Sequence, residues 1–358
     1  MIDTKSIRNI DAKGKRVLVR VDFNVEFEDG KPKDAYKIRA VKETIDFILS
    51  NKGAKIALLS HIGRPKGKRV EELSFSGFCG EIGKILNKKI VFSSDCVGEE
   101  VEGKLNNLEE GQVLMLENVR FYMEEFENDD LFASKLAKNF DIYVNDAFSV
   151  SHRPHASLVK ITEKLPSFFG FNFEQEVEKL SKLRKNYKKP TVAIIGGAKI
   201  ETKLPVITFF AKNYDSVLLG GRLGIEAESR GLDFTKNVII PKDYIDDSLD
   251  VGPETVSLFK IKIKKAKTIV WNGPLGKFEE EKYAGGTDSI LKAIADNDSA
   301  YKVAGGGETV QVIEEAGFMK KFDFISTGGG AMLVFLSEGT LVALDSLQNQ
   351  KLNLKSKK

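Results

Sequence analysis

The chain has 358 residues, 42% hydrophobic and 30% charged, with 55 basic against 52 acidic side chains and a formal charge of +3. That length suits two domains, and the apolar content excludes wholesale disorder. The near balance of charge argues against a dedicated nucleic-acid binder. The longest apolar runs, such as Val17–Val19 and Ile56–Leu59, fall far below the ~18 residues of a membrane span. Residues 1–15 hold two aspartates and four basic residues with no apolar core, so no signal peptide is expected. Two cysteines, Cys79 and Cys96, are expected as buried, unpaired thiols in a reducing compartment. The expectation is a cytoplasmic two-domain protein with no membrane or nucleic-acid partner.

Short β-rich runs alternate with helical patterns along the whole chain. Residues 16–23 (RVLVRVDF) read as a strand, and 39–50 as a helix with apolar residues at 41, 45, 47, 48 and 49. A strand at 55–60, a helix at 75–86 and a short strand at 89–93 follow. Strands at 112–117 and 141–146 flank a helix at 130–139. The charged stretch 174–189 then carries Val177, Leu180 and Leu183 at helical spacing and stops at Pro190. Beyond it, strands are expected at 191–195, 216–219, 238–240, 268–271, 301–304 and 322–325. Such alternation predicts α/β architecture: two doubly wound parallel-sheet, Rossmann-like domains joined by a hinge helix. The boundaries are a first domain over 1–172, a helix over 173–189, a second domain over 190–345 and a frayed basic tail over 346–358. The competing topology is one large sheet with an amphipathic crossover helix.

In parallel sheets, ligands bind beyond the carboxyl ends of the strands. In the first half those ends carry Asp22 and Asn24, His61 and Arg64, Asn118 and Arg120, then His152, Arg153 and His155. Only 11 of the 55 basic residues are arginine, yet three of them fall just after strands. The planar guanidinium fork suits two-point binding of carboxylate or phosphate. This half therefore predicts a site for a small polyanion carrying hydroxyls. Metal binding by the histidines is the weaker idea, since His152 and His155 lack a partnering Cys or carboxylate at ligand spacing.

The second half is punctuated by glycine. Gly196-Gly197, Gly220-Gly221, Gly305–Gly307 and Gly328–Gly330 all follow predicted strands, and three of the four are expected to open helices. Glycine lets backbone approach a ligand, and exposed N–H groups at helix starts attract phosphate. No Walker A loop or dinucleotide fingerprint is present. Lys199 and Lys203, four apart and expected on one helical face, supply positive charge.

Eight segments in order, RVDFNV (20–25), SHIGRPKG (60–67), LENVRF (116–121), YVNDAFSVSHRPHAS (143–157), GGAKIETK (196–203), VWNGPLGKFE (270–279), GGGETV (305–310) and STGGGA (326–331), resemble the phosphoglycerate kinase family over nearly the whole chain. The resemblance implies phosphoryl transfer between 1,3-bisphosphoglycerate and ADP, giving 3-phosphoglycerate and ATP, with Mg2+. It also implies a monomer. By motif match it assigns Asp22, Phe23, Asn24, Lys37, His61, Arg64, Arg120 and Arg153 to the glycerate substrate. Gly197, Lys203, Gly220, Asn272, Glu279, Gly306, Gly307, Glu308 and Thr309 fall to the nucleotide, and Glu308 to the metal. Lys37, Lys199, Lys203 and Gly329 are left for the transferred phosphoryl group.

Three departures from the family pattern stand out. Lys37 occupies the position of a family arginine, and Glu308 that of a metal-binding aspartate. The stretch from Lys203 to Asp250 is short, with Lys277 replacing an apolar residue expected near the base. Two other readings compete: a non-catalytic phosphoglycerate- or nucleotide-binding protein on the same fold, and a kinase acting on another small acyl phosphate.

Overall fold

The computed structural model of the chain describes residues 5–28 and 30–350. The described residues up to Val177, together with those from Thr340 onward, form one compact unit, and Glu178–Gly339 form another.

The first unit is built on β1 (Arg16–Arg20), β2 (Lys55–Leu59), β3 (Ile90–Phe92), β4 (Val113–Met115), β5 (Ile142–Asn145) and β6 (Ser167–Phe169). They form one sheet in the order β3-β4-β2-β1-β5-β6, every neighbouring pair parallel. The residues of β1 show why its apolar run is unbroken. Val17 and Val19 pack with Ile45, Ile48, Ile82 and Leu86 on one face. Leu18 packs with Val101, Leu105, Ala133 and Leu136 on the other. A strand covered by helices on both faces has no polar side to display.

The second unit repeats the plan with β7 (Thr191–Ile195), β8 (Ser216–Leu219), β9 (Val238–Ile239), β10 (Thr268–Asn272), β11 (Tyr301–Gly305) and β12 (Phe324–Ser326). Its order, β9-β8-β7-β10-β11-β12, is again wholly parallel. The chain therefore winds outward in both directions from β7, and its switch point lies between β7 and β10. Two separate six-stranded sheets exclude the single-sheet topology.

Several boundaries differ from expectation. The helix expected over 39–50 breaks at Val41 into Tyr36–Ala40 and Lys42–Leu49. The charged helix runs Phe171–Lys185, beginning earlier than its periodicity suggests. Its first N–H groups find partners elsewhere in the first unit: Phe171 N–H donates to Thr44 Oγ1 (2.9 Å) and Phe173 N–H to Asp146 Oδ1 (3.0 Å). The unit boundary at Val177 falls inside this helix. Thr340–Gln350, expected to be divided between the second domain and the tail, group with the first unit. Ala343 is buried with Ala147, Val150 and Leu158, and its N–H donates to Ser151 O (3.1 Å). The frayed tail expected from Lys351 lies outside the described residues. Cys96 is buried and Cys79 only half-buried, and both are free thiols. No single helix among the described residues is long and apolar enough to cross a membrane.

Candidate active site

The carboxyl ends of β1, β2, β4 and β5 converge, because their registers align these strands side by side. Just past β1 the backbone turns through Asp22 and Asn24. Asn24 N–H donates to Asp22 Oδ1 (2.9 Å), and Phe23 N–H donates to Ser60 Oγ (2.8 Å). Lys37, from the helix Tyr36–Ala40, places Nζ 3.1 Å from Asp22 Oδ2 and 3.4 Å from Asn24 O. The Ser149 hydroxyl also donates to Asp22 Oδ2. His61 at the end of β2 holds Nε2 3.7 Å from Asp22 Oδ1. Burial pushes the Asp22 carboxyl up, but Lys37, His61 and Ser149 together outweigh it and hold the group well below the ordinary carboxylate range. Burial, reinforced by Arg20, Arg120 and Lys37, keeps His61 far below its ordinary value despite Asp22.

The Gly63 peptide is gripped from two sides. Its N–H donates to Asn24 Oδ1 (2.8 Å), and its carbonyl accepts from Arg120 Nη1 (2.6 Å). This fixes the loop that presents the exposed Arg64. Arg120 is lowered to about 10 by burial, with Arg20 and Arg153 adding repulsion, and its buried Nε has no hydrogen-bond partner. His152 is pushed down to about 4 by burial and by Arg153, whose Nε lies 3.4 Å from His152 Nε2. Three crowded guanidiniums, with a donor left over, form a pocket of positive charge suited to an anion. Asp22, Asn24, Lys37, His61, Arg64, Arg120 and Arg153 are thus brought to one end of the sheet. Phe23 is not available there. Its side chain is fully buried among core residues of the first unit, so it shapes the turn and offers a ligand no side-chain contact.

In the second unit a polar cluster sits at the switch point. Asn272, the last residue of β10, accepts from Lys203 Nζ through Oδ1 (2.5 Å) and donates from Nδ2 to Gly305 O (2.6 Å). Gly197 has φ +111°, a backbone conformation that favours glycine, and it lies against the Lys203 stem, where a Cβ would make ordinary contact with Cε at 3.5 Å. Burial pulls the Lys203 ammonium down to about 8, partly offset by Glu308. Gly220, Gly306 and Gly328 cap the helices Gly221–Ser229, Gly307–Glu315 and Gly329–Glu338, so three glycine motifs do open helices. Two of these helices approach closely, since a Cβ on Gly329 would meet Gly306 Cα at 2.5 Å.

Some expected residues serve structure instead. Thr309 is fully buried, and its hydroxyl accepts Gly273 N–H (2.7 Å), which ties one loop to the next. Gly220 is buried where a Cβ would press on Gly196 Cα (3.0 Å) and Leu275 Cα (3.3 Å). Lys199 and Lys203 do not share a helical face. A 3-10 turn, Ile200–Thr202, separates them, and the α-helix begins only at Leu204. Lys199 and Glu279 stand exposed. Motif reading missed the buried Arg20, Glu125 and Ser157, which bond to one another within the arginine cluster, and Ser149, which donates to Asp22.

No group of three or more His, Cys, Asp or Glu side chains able to hold a metal occurs among the described residues. Glu308 is a lone exposed carboxylate near Lys203. That donor set fits a magnesium ion carried in on nucleotide phosphates and completed by water, and does not fit an all-protein cage.

The model of the phosphoglycerate kinase family matches residues 7–227 and 226–339, two pieces that meet inside the stretch that reads as shortened. The phosphoglycerate kinase of Dictyoglomus turgidum is 38% identical over 390 positions, covering 96% of this chain and 98% of the relative. That of Thermosipho africanus is 39% identical over 395 positions, covering 97% and 98%. Both alignments are longer than the 358-residue chain, so the relatives carry segments that it lacks. Among solved structures, phosphoglycerate kinase from Pyrococcus horikoshii has a TM-score of 0.82 at 29% identity, covering 96% of this chain and 98% of that one. Phosphoglycerate kinase from Coxiella burnetii has a TM-score of 0.79 at 29% identity, covering 97% and 99%. The chain belongs to the phosphoglycerate kinase family.

Proposed function

We propose that the chain catalyses reversible phosphoryl transfer between 1,3-bisphosphoglycerate and ADP, with the glycerate substrate on the first unit and the nucleotide on the second. Family membership makes it a phosphotransferase. The observation carrying the division of labour is the contrast between the two sites. One gathers guanidiniums around the hydroxyl-accepting Asp22; the other gathers glycine-capped helix starts around Lys203.

Phosphoryl transfer through a loose transition state needs alignment and positive charge on the equatorial oxygens more than acid–base help. In the direction of ATP synthesis the attacking oxygen is already a phosphate, so no side-chain base is required. Arg64, Arg120 and Arg153 hold the anion, while Asp22, kept ionised, accepts hydrogen bonds from substrate hydroxyls. Lys37 lies beside Asp22 and supplies a cation where the family has arginine. Lys203, oriented by Asn272, and the helix starts at Gly307 and Gly329 meet nucleotide and transferred phosphates. Glu308 would hold the magnesium of the nucleotide, directly or through water, and that ion would neutralise phosphate charge. Substrates held on separate units require closure about the helix Phe171–Lys185, which also excludes water from the acyl phosphate. The reading makes the protein a cytoplasmic monomer. A coupled assay of ATP-dependent 3-phosphoglycerate phosphorylation tests the activity: magnesium-dependent turnover is expected, and binding of both ligands without turnover would contradict it.

A further inference from the structure

One carboxylate in the arginine cluster takes no part in the roles above. Glu125, on the short helix Met123–Phe126, is fully buried. A carboxylate out of water persists when its oxygens are bonded and its charge is paired. Glu125 Oε2 accepts Ser157 N–H (2.8 Å), and Oε1 accepts the Ser157 hydroxyl (2.6 Å). Oε1 also stands 3.8 Å from Arg20 Nη2 and 3.6 Å from His155 Nδ1. Arg20 is equally buried and forms its ion pair with Glu125. Its remaining donors are spent locally. Nε donates to Ser157 Oγ (2.9 Å), Nη1 to Val21 O (2.5 Å), and Nη2 lies 3.3 Å from His61 Nδ1. A guanidinium only donates, so His61 Nδ1 accepts and the ring hydrogen sits on Nε2, the nitrogen facing Asp22. One acid therefore anchors β1, the loop after β5 and, through Arg20, the histidine at the end of β2.

We propose that Glu125 is the standing counter-charge of this cluster: it keeps the cations assembled while the site is empty and holds down the affinity for the anion that later shares them. It touches no substrate and acts as a positioning residue. The inference rests on the reading of this face as the glycerate site, but it needs only the anionic character of the ligand. Arg20 and Arg153 both repel Arg120, and Glu125 is among the charges that oppose this. Without the acid, the cluster carries an excess of charge that a bound anion relieves. The protein becomes less stable and its anion binding becomes tighter, whereas simple damage to the site would weaken both.

The test compares wild type with Glu125→Gln, which keeps an oxygen for Ser157 N–H, and with Glu125→Asp, which keeps the charge. The probes are inorganic phosphate, by the rise in melting temperature, and 3-phosphoglycerate and ATP by calorimetry. We expect phosphate to stabilise Glu125→Gln more than wild type. The 3-phosphoglycerate affinity should rise by about three- to tenfold in the Gln variant, as loss of one nearby charge would give at intermediate dielectric. ATP affinity should be unchanged, and Glu125→Asp should fall back toward wild type. A Gln variant that folds only in phosphate supports the same conclusion. Equal or smaller stabilisation by phosphate, weaker 3-phosphoglycerate binding, or a variant that stays unfolded in phosphate would overturn it. Should phosphate show the effect while wild type ignores 3-phosphoglycerate, the glycerate assignment fails and the counter-charge role stands.

Discussion

Lys37, beside Asp22, and Lys203, beside Asn272, carry the proposed roles in phosphoryl transfer, and each makes a separate prediction. Lys37 points its ammonium at Asp22 Oδ2 from 3.1 Å, at the same end of the sheet as the arginine cluster. A donor to developing charge in such a site is worth ~2.7–4 kcal/mol, so Lys37→Ala should lower kcat by roughly 10²–10³-fold. Lys37→Arg should retain activity or raise it, because a guanidinium can span two phosphoryl oxygens. Steady-state kinetics decides this, and wild-type turnover in Lys37→Ala would refute the role. Lys203, lowered to about 8 mainly by burial, is charged below that pH and neutral above it in the free protein. Its attraction for nucleotide phosphates should therefore fade as pH rises through about 8. The kcat/KM for ATP should fall above that point, while kcat holds to higher pH because bound phosphate retains the proton. Lys203→Arg should remove this alkaline limb, and an unchanged limb would assign the titration to another group.

The residues legible in the sequence were those stranded as polar groups just past apolar strands: Asp22, His61, Arg120 and Arg153. Arg20 hid because it falls inside the expected strand 16–23, where nothing in the sequence marks its burial or its pairing with Glu125. Glu125 hid beside Glu124 and Glu127, because nothing in the sequence sets the one buried acid apart from its exposed neighbours. Phe23 and Thr309 were assigned by adjacency within motifs, yet both face inward.

At the scale of elements, the glycines that follow five of the six strands of the second unit's main sheet do two jobs that look alike in the sequence. Gly306 and Gly328 sit at helix starts, where open N–H groups suit phosphate. Gly196 serves backbone contact, since a Cβ there would run into the carbonyls of Pro274 and Gly273. Neither carbonyl can move without disturbing the junction of β7 and β10, so Gly196→Ala should destabilise the protein by at least ~2–3 kcal/mol. Urea unfolding measures this, and a loss under ~1 kcal/mol would mean that the junction is looser than its geometry implies. The long buried strands were readable because both faces are apolar. β6 was not, since three residues (Ser167–Phe169) carry no periodicity, and its place is set by pairing with β5. The early start of the helix at Phe171 was hidden for a related reason: Thr44 and Asp146, distant in sequence, provide its first acceptors.

For the whole molecule, the central claim is that two units built alike bind chemically different partners. The first sheet ends in guanidiniums and the second in glycine-capped helix starts, and the arginines and glycines that follow the strands make that difference legible in the sequence. The shortened stretch between Lys203 and Asp250 lies wholly in the second unit, so its consequences should fall on the nucleotide and leave the glycerate site intact. The most direct measurement is calorimetric binding of 3-phosphoglycerate and of ATP to wild type, Arg153→Ala and Lys203→Ala. Loss of one charge-assisted contact costs ~1.5–3 kcal/mol, so each variant should lose roughly ten- to a hundredfold for one ligand only. Arg153→Ala should weaken 3-phosphoglycerate and spare ATP, and Lys203→Ala should do the reverse. Equal losses for both ligands in either variant would contradict the division of the two sites between the two units.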